Sequence, residues 1–286
     1  MSETLLNKTQ FFKSKDGSRD LFYQTFESST SEPKACLLIT HGQGEHSEAY
    51  RELAKYLCQT LPLKVYTWDM VGHGKSSGQR GYVGDISWLT QDFASAVDLC
   101  NQENNEHKNK QLPLFLLSHS LGALVHLYSE QENLCDFNNV KGSILSNPCV
   151  ALNFTPPKWK SVGAEFLTKL APRITLGNEL KPSQMSSDPE YLEIFKKDPL
   201  RHQSISPRLY LGMLELMDSL SYRKSQHPTL TLLSPNDSVC APLKSENYLK
   251  DSSDFLFFEK SAHEVLNDIE KKSAIDAVKE FLNENI

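Results

Sequence analysis

The sequence predicts an α/β protein built on a mostly parallel central sheet with helices on both faces. From residue 35 onward, short runs that are apolar at every position alternate with stretches whose apolar residues recur at helical spacing. A strand apolar on both faces belongs in a sheet buried on both sides, and its alternation with helices is the pattern of right-handed βαβ crossovers. The chain has 286 residues, enough to bury a sizeable core.

The elements follow in order. Residues 9–26 read as two strands around the turn dipeptide Asp16-Gly17, so the sheet begins with an antiparallel hairpin. The polar stretch ESSTSEP, 27–33, reads as a loop. The apolar runs are CLLI (36–39), VYTW (65–68), LFLL (114–117), GSIL (142–145), LTLL (230–233) and FLFF (255–258). Between the first two, Tyr50, Leu53, Ala54 and Leu57 fall at i, i+3, i+4, i+7, and Leu89, Phe93, Ala96, Val97 and Cys100 repeat the stripe in the next interval. Ile275, Val278, Phe281 and Leu282 form a last helical stripe. One interval breaks the rhythm. After GSIL, which with the hairpin is the sixth strand, residues 151–206 are cut into short pieces by Pro156, Pro157, Pro172, Pro182, Pro189 and Pro199. We read 151–206 as a helical cap inserted after the sixth strand. Residues 1–150 and 207–286 then form one discontinuous core, with 207–223 the helix returning to the sheet.

Charge excludes one class of partner: 30 basic against 36 acidic residues, a formal charge of -6 without a basic cluster, argue against extended contact with nucleic acid. The six cysteines are widely spaced with no C-x-x-C pair and read as buried free thiols. The first residues, MSETLLNKTQFF, show no secretory pattern, and both facts fit a reducing cytoplasm. The longest apolar stretch, 112–128, carries two serines and two histidines and falls short of the roughly 20 residues of a membrane-crossing helix.

In open parallel sheets ligands bind beyond the carboxyl ends of the strands, so the loops after each run carry the functional reading. Those loops are THGQGEHS after CLLI, SHSLG after LFLL, SPNDS after LTLL and EKSAHE after FLFF. Acyl transfer by serine needs a hydroxyl, an imidazole to take its proton, a carboxylate to orient that imidazole, and donors for the developing oxyanion. Ser120 on a strand-to-helix turn, Asp237 after a later strand and His263 after the last strand supply the first three in the Ser, Asp, His order of the α/β-hydrolase fold. Taken singly, each has a plain structural role: an N-cap, a turn residue, a hydrogen-bonded histidine. Their joint placement favours a triad. The N–H groups of Gln43, in the glycine-flanked loop after CLLI, and of Leu121, at a helix amino terminus, are the expected oxyanion donors. His41 reads as structural. The nine histidines show no metal-ligand spacing, so neither metal nor other cofactor is expected. Residues 69–76, DMVGHGKS, lack P-loop spacing and read as an ordered loop supporting the site.

HGQGEHSEAY, DMVGHGKSSG, SHSLG, SPNDS and SAHEVLND together resemble the monoacylglycerol lipase and lysophospholipase branch of the serine α/β-hydrolases, over roughly residues 10–285. The cap stretch DPEYLEIFKKDPLRHQSISPRL is similar to that branch as well. The resemblance implies Ser120 as nucleophile, Asp237 as acid, His263 as base, and Gln43 and Leu121 as oxyanion donors. The elbow departs from the usual G-H-S-M-G-G, with Ser118 in place of the first glycine and Ala123 in place of the last. Gly122 keeps the side the helix approaches open, and Ser118→Gly is expected to preserve or improve activity.

In the cap, Trp159, Val162, Phe166, Leu167 and Leu170 fall at helical spacing, with Lys158, Lys160, Lys169 and Arg173 largely elsewhere. Two readings compete without excluding each other: a helix packing its apolar stripe on its own core, or an interfacial helix that docks on a membrane and admits a lipid tail; Trp159, Phe166 and Leu170 are the candidate residues lining the substrate site. The expected activity is hydrolysis of a single-chain lipid ester, a monoacylglycerol or lysophospholipid, through an acyl-enzyme on Ser120. An esterase or peptidase of small soluble substrates with the same triad, and a non-catalytic binding protein, are the alternatives.

Overall fold

The structure is a computed structural model that describes residues 5–105, 111–155, 157–221 and 225–286. Pro156, the Lys158 side chain and residues 222–223 of the expected returning helix lie outside what is described. The chain runs β1 (Leu5–Lys13), β2 (Asp20–Ser28), β3 (Ala35–Thr40), α1 (Arg51–Thr60), β4 (Leu63–Trp68), α2 (Ser87–Asn105), β5 (Leu114–His119), α3 (Leu121–Gln131) and β6 (Val140–Ser146). The inserted stretch follows with α4 (Lys158–Leu170), β7 (Leu176–Gly177), α5 (Pro182–Met185), α6 (Pro189–Lys197) and β8 (Ser204–Ile205). The core resumes with α7 (Pro207–Ser219), β9 (Thr229–Leu233), α8 (Pro242–Leu249), β10 (Asp254–Phe257) and α9 (Lys271–Asn285).

The strands form an eight-stranded sheet in the order β1-β2-β4-β3-β5-β6-β9-β10, antiparallel at β1/β2 and β2/β4 and parallel from β4 to β10. Alternation along each central strand feeds two cores. Leu38 and Leu116 pack with Phe93 of α2, Leu124 of α3 and Leu216 of α7, whereas Leu37, Ile39, Phe115 and Leu117 pack with Leu57 of α1 and Val278 and Leu282 of α9. Each such side chain, fully removed from water, contributes about 1.5–3 kcal/mol. The two-sided core explains why CLLI and LFLL have no polar position.

FLFF departs from that expectation. β10 is the sheet edge, with Leu256 and Phe257 exposed, so its apolar run does not report burial on both faces. The prolines of the insert and of the helix that follows it also act differently from simple breakers. Pro182, Pro189 and Pro207 stand in the first turns of α5, α6 and α7, where the missing N–H costs nothing and the fixed φ suits a helix. Asp188 caps α6 by accepting from Glu190 N–H (3.0 Å), and Ser206 caps α7 by accepting from Leu209 N–H (3.2 Å).

The end of the insert is fastened to the loops above the sheet. His202 N–H donates to Gly44 O (3.2 Å), Ser206 N–H to Gly81 O (2.7 Å), and His46 Nε2 lies 2.7 Å from Asp198 Oδ2. Gly44 has φ +77°, and a Cβ there would collide with His202 O, so this contact requires glycine.

Candidate active site

Strand β5 ends in a turn that throws Ser120 to the sheet's carboxyl edge. Ser120 has φ 51° and ψ -118°, a left-handed backbone unusual for a side chain other than glycine and characteristic of a strained strand-to-helix elbow. The turn is held by Ser120 N–H donating to Ser146 O (3.1 Å) and by Ala123 N–H donating back to Ser120 O (3.0 Å). Gly122 lets α3 approach β3 closely: a Cβ there would overlap the carbonyls of His41 and Thr40. Ser118, at the position of the missing glycine, is fully buried, and its Oγ lies 3.1 Å from His126 Nδ1 on α3.

Three distant segments meet at this turn. His263 Nε2 is 2.8 Å from Ser120 Oγ, and His263 Nδ1 is 2.7 Å from Asp237 Oδ2. The other Asp237 oxygen accepts from Val239 N–H (2.8 Å) and Cys240 N–H (3.0 Å), which fixes the carboxylate's plane. All three side chains are buried. Burial disfavours a charged imidazole, but the charge of Asp237 and its hydrogen bond outweigh this and raise His263 to about 9.

The loop after β3 lies opposite. His41 Nε2 accepts from Met70 N–H (3.0 Å), so Nδ1 carries the proton and donates to Gly42 O (2.7 Å). Burial holds this imidazole down to about 3, hence neutral, and makes it the tie between the Gly42-Gln43 loop and the 69–76 loop. Asp69 organises the latter by accepting from Ser47 N–H (2.6 Å) and Lys75 N–H (2.7 Å). The Gln43 side chain donates to Ser204 O (2.7 Å) and accepts from Asn178 Nδ2 (3.0 Å), both in the insert. Leu121 opens α3, where helix geometry provides its N–H with no intrahelical acceptor.

Sequence reasoning gave no role to several residues found here. The His119 ring lies 4.7 Å from that of His263, and burial pushes it down to about 3. Cys240 Sγ is 3.8 Å from Ser120 Oγ, and burial raises its thiol well above the usual range, so it is neutral. Glu45, Arg201 and Glu264 form a buried ion network behind the site. Glu45 and Glu264 lie inside THGQGEHS and EKSAHE, but nothing in their spacing points to a shared partner. Among the described residues, Asp237, Cys240 and His263 stand close enough together to resemble a three-ligand cation site. Hydrogen bonds from the Val239 and Cys240 N–H groups, to Ser120 and along the Asp237–His263 pair already occupy the carboxylate and imidazole atoms, and the neutral thiol is a poor ligand.

Ser120, His263 and Gln43 open into a cavity of about 920 Å³ roofed by the insert and walled by Leu167 of α4 and Met213 and Met217 of α7. The lining is mainly apolar. Trp159 borders this cavity, but Phe166 and Leu170 do not: they are 62 and 70% exposed and point outward with Val162. Of the expected stripe, Leu167 and Trp159 reach the cavity, whereas Val162, Phe166 and Leu170 face away from it. Gly163 and Ala164 face inward beside Leu167, and their small side chains let α4 lie close over the cavity.

Residues 31–270 match the model of a family described as "Serine aminopeptidase, S33". Over 204 residues the chain is 34% identical to human monoglyceride lipase, covering 71% of this chain and 63% of that protein, so the match spans just under two thirds of the relative's length. It is 29% identical to the monoacylglycerol lipase of Mycolicibacterium smegmatis over 262 residues, 88% of this chain and 89% of that one. The crystal structure of a soluble variant of monoglyceride lipase from Saccharomyces cerevisiae superposes with a TM-score of 0.81 at 20% identity, covering 96% of this chain and 94% of that chain, which shows the α/β-hydrolase fold.

Proposed function

Since the chain belongs to the family described as serine aminopeptidase S33, we propose that it is a serine hydrolase of carboxylic esters, acting on a single-chain lipid such as a monoacylglycerol or lysophospholipid. The observation that carries this reading is the unbroken hydrogen-bonded series Asp237, His263, Ser120 at the floor of a large apolar cavity. In this reading His263 takes the Ser120 proton as Oγ attacks the ester carbonyl. Asp237 holds the ring with Nδ1 protonated and stabilises the imidazolium. The N–H groups of Gln43 and Leu121 receive the oxyanion, His263 returns the proton to the leaving alcohol, and water then releases the fatty acid. The human and mycobacterial relatives are named for monoacylglycerol hydrolysis, and the apolar walls suit an acyl chain.

The family description gives the second reading, an aminopeptidase. A peptide's charged amine would have to leave water for a lining that is mainly apolar, which favours the lipid ester. A panel of monoacylglycerols, lysophosphatidylcholine, p-nitrophenyl esters of rising chain length and an aminoacyl arylamide separates the two. Long-chain esters are expected to be turned over, and Ser120→Ala to lower turnover by several orders of magnitude without loss of fold. A rate confined to the arylamide or to acetate, or full activity in the alanine variant, would overturn the assignment.

Peripheral membrane contact through the cap belongs to the same reading. Trp159, Val162, Phe166 and Leu170 form an exposed apolar stripe on α4, with Lys160, Lys169 and Arg173 on the same segment, the composition of a helix that lies in an interface. The substrate would then pass from the membrane to the cavity directly beneath α4.

A further inference from the structure

The insert sends one cation into the interior behind the reacting groups. Arg201, whose side chain is 6% exposed, lies between two carboxylates buried more deeply still. Its Nη1 is 2.8 Å from Glu264 Oε1, and its Nη2 is 2.9 Å from Glu264 Oε2 and 3.3 Å from Glu45 Oε1. Tyr191 of α6 adds a hydrogen bond to Glu264 Oε2 (2.6 Å) and contacts Arg201, and the Phe195 ring lies 4.3 Å from the guanidinium carbon. Both carboxylates lead to the chemistry. Glu264 directly follows His263, and the second oxygen of Glu45 accepts from Gly42 N–H (2.7 Å) and Tyr50 OH (3.1 Å), which anchors the loop carrying Gln43.

We propose that Arg201 is a positioning residue that, by bridging Glu264 and Glu45, sets the spacing between the His263 imidazole and the Gly42-Gln43 loop and makes that spacing conditional on a docked cap. The proposal rests on the hydrolase reading above. A guanidinium can do this because its planar fork engages Glu264 with two parallel bonds and still has a donor for Glu45; a lysine ammonium cannot reproduce that geometry.

Charge makes the bridge necessary. One cation serves two buried carboxylates. Burial opposes the charge on Glu264, but the charge and hydrogen bonds of Arg201 outweigh it and hold this carboxyl well below its ordinary value. Burial and the nearby Glu264 charge raise Glu45 to about 7. Among the described residues, the other groups facing Glu45 give it no cation: Tyr50 and Tyr191 are held protonated by burial, and His119, with Nε2 3.9 Å away, is neutral. Without Arg201 the two buried carboxyl groups would face each other with no cation between them, and they would move apart or share a proton, displacing His263 or Gly42.

The test compares Arg201→Lys, Arg201→Ala and the double variant Arg201→Ala/Glu45→Gln with the parent protein. Turnover of p-nitrophenyl butyrate is normalised to sites titrated by a fluorophosphonate and followed against pH. Both single variants are expected to lose about 10- to 100-fold in kcat, as an ångström-scale displacement does, with little change in KM and an altered pH profile as His263 shifts relative to Asp237 and Glu264. The double variant, rid of one carboxylate, is expected to regain part of the loss. Wild-type kcat and pH profile in the single variants, accompanied only by a lower Tm, would overturn the proposal and make Arg201 a simple structural tie. The low-field resonance of the His263 Nδ1 proton provides a readout free of turnover and is expected to shift in both single variants. Were the parent protein inert to every ester, the hydrolase reading would fall, while an unmoved His263 resonance would separately refute the positioning role.

Discussion

His263 sets opposite pH trends for activity and stability. Its ring must be neutral to accept the Ser120 proton, so kcat/KM is expected to rise with pH through an ionisation displaced from about 6.5 toward 9, because Asp237 favours the charged form more than burial disfavours it. The raised folded-state value means that the charged ring stabilises the native state. That contribution is fully present below the unfolded value near 6.5 and is lost as pH rises through the folded value near 9. Asp237→Asn should lower the activity midpoint and remove this part of the stability profile; a midpoint unchanged in the variant would show that Asp237 does not govern the imidazole. Ser118 separates the two quantities differently. Its hydroxyl meets His126 Nδ1, and His126 continues to Ser143 Oγ at 3.4 Å, which in turn is 2.7 Å from His227 Nε2. Ser118→Gly is expected to keep turnover per folded molecule, since the serine does not touch the reacting groups, but to lower stability by about 1–3 kcal/mol through the orphaned imidazole nitrogen. Denaturant titration beside fluorophosphonate-titrated rates checks this, and a large loss of turnover per titrated site would mean that Ser118 shapes the elbow itself.

At the scale of elements, α4 shows both the reach of the sequence and its limit. Period 3.6 identifies a helix and its apolar stripe, but it does not say which side the rest of the molecule occupies. Here Val162, Phe166 and Leu170 of the conspicuous stripe face solvent, while Leu167 and the unremarkable Gly163 and Ala164 face the cavity. Phe166→Asp with Leu170→Asp is expected to reduce binding to vesicles of phosphatidylcholine and phosphatidylglycerol by tenfold or more, since each side chain would give up about 1.5–3 kcal/mol of burial. Turnover of p-nitrophenyl acetate should be unchanged. Equal vesicle binding by the double variant would leave the stripe without an interfacial role. The strands CLLI and LFLL were readable because central parallel strands have no polar position, whereas FLFF looked identical while standing at the sheet edge. The meeting of Ser120, Asp237 and His263 was legible because each follows a strand, and parallel topology brings strand ends together. Arg201 was not, because an isolated arginine in a polar cap reads as surface until its two carboxylates, at positions 45 and 264, are placed in space.

Across the whole molecule, the insert is attached unevenly: residues 184–188 bond to the His263 loop and its neighbours, with His263 N–H donating to Gln184 O (3.2 Å) and Glu264 N–H to Met185 O (2.7 Å). Residues 198–206 are bound to the core by the His46–Asp198 contact, the backbone bonds to Gly44 and Gly81, and the Arg201 bridge. The α4 side instead packs over the cavity against α7 with its outer face bare. The side-chain-free surface at Gly163 has open space where a Cβ would project, in contrast to Gly44, where none fits. If the cavity holds the proposed substrate, a lineage of such proteins can therefore vary its fit cheaply at one place and hardly at all at the other. In the lipid-ester reading, successively larger residues at 163 would shorten the space for an acyl chain step by step, because the roof has room there while the stem at Gly44 has none.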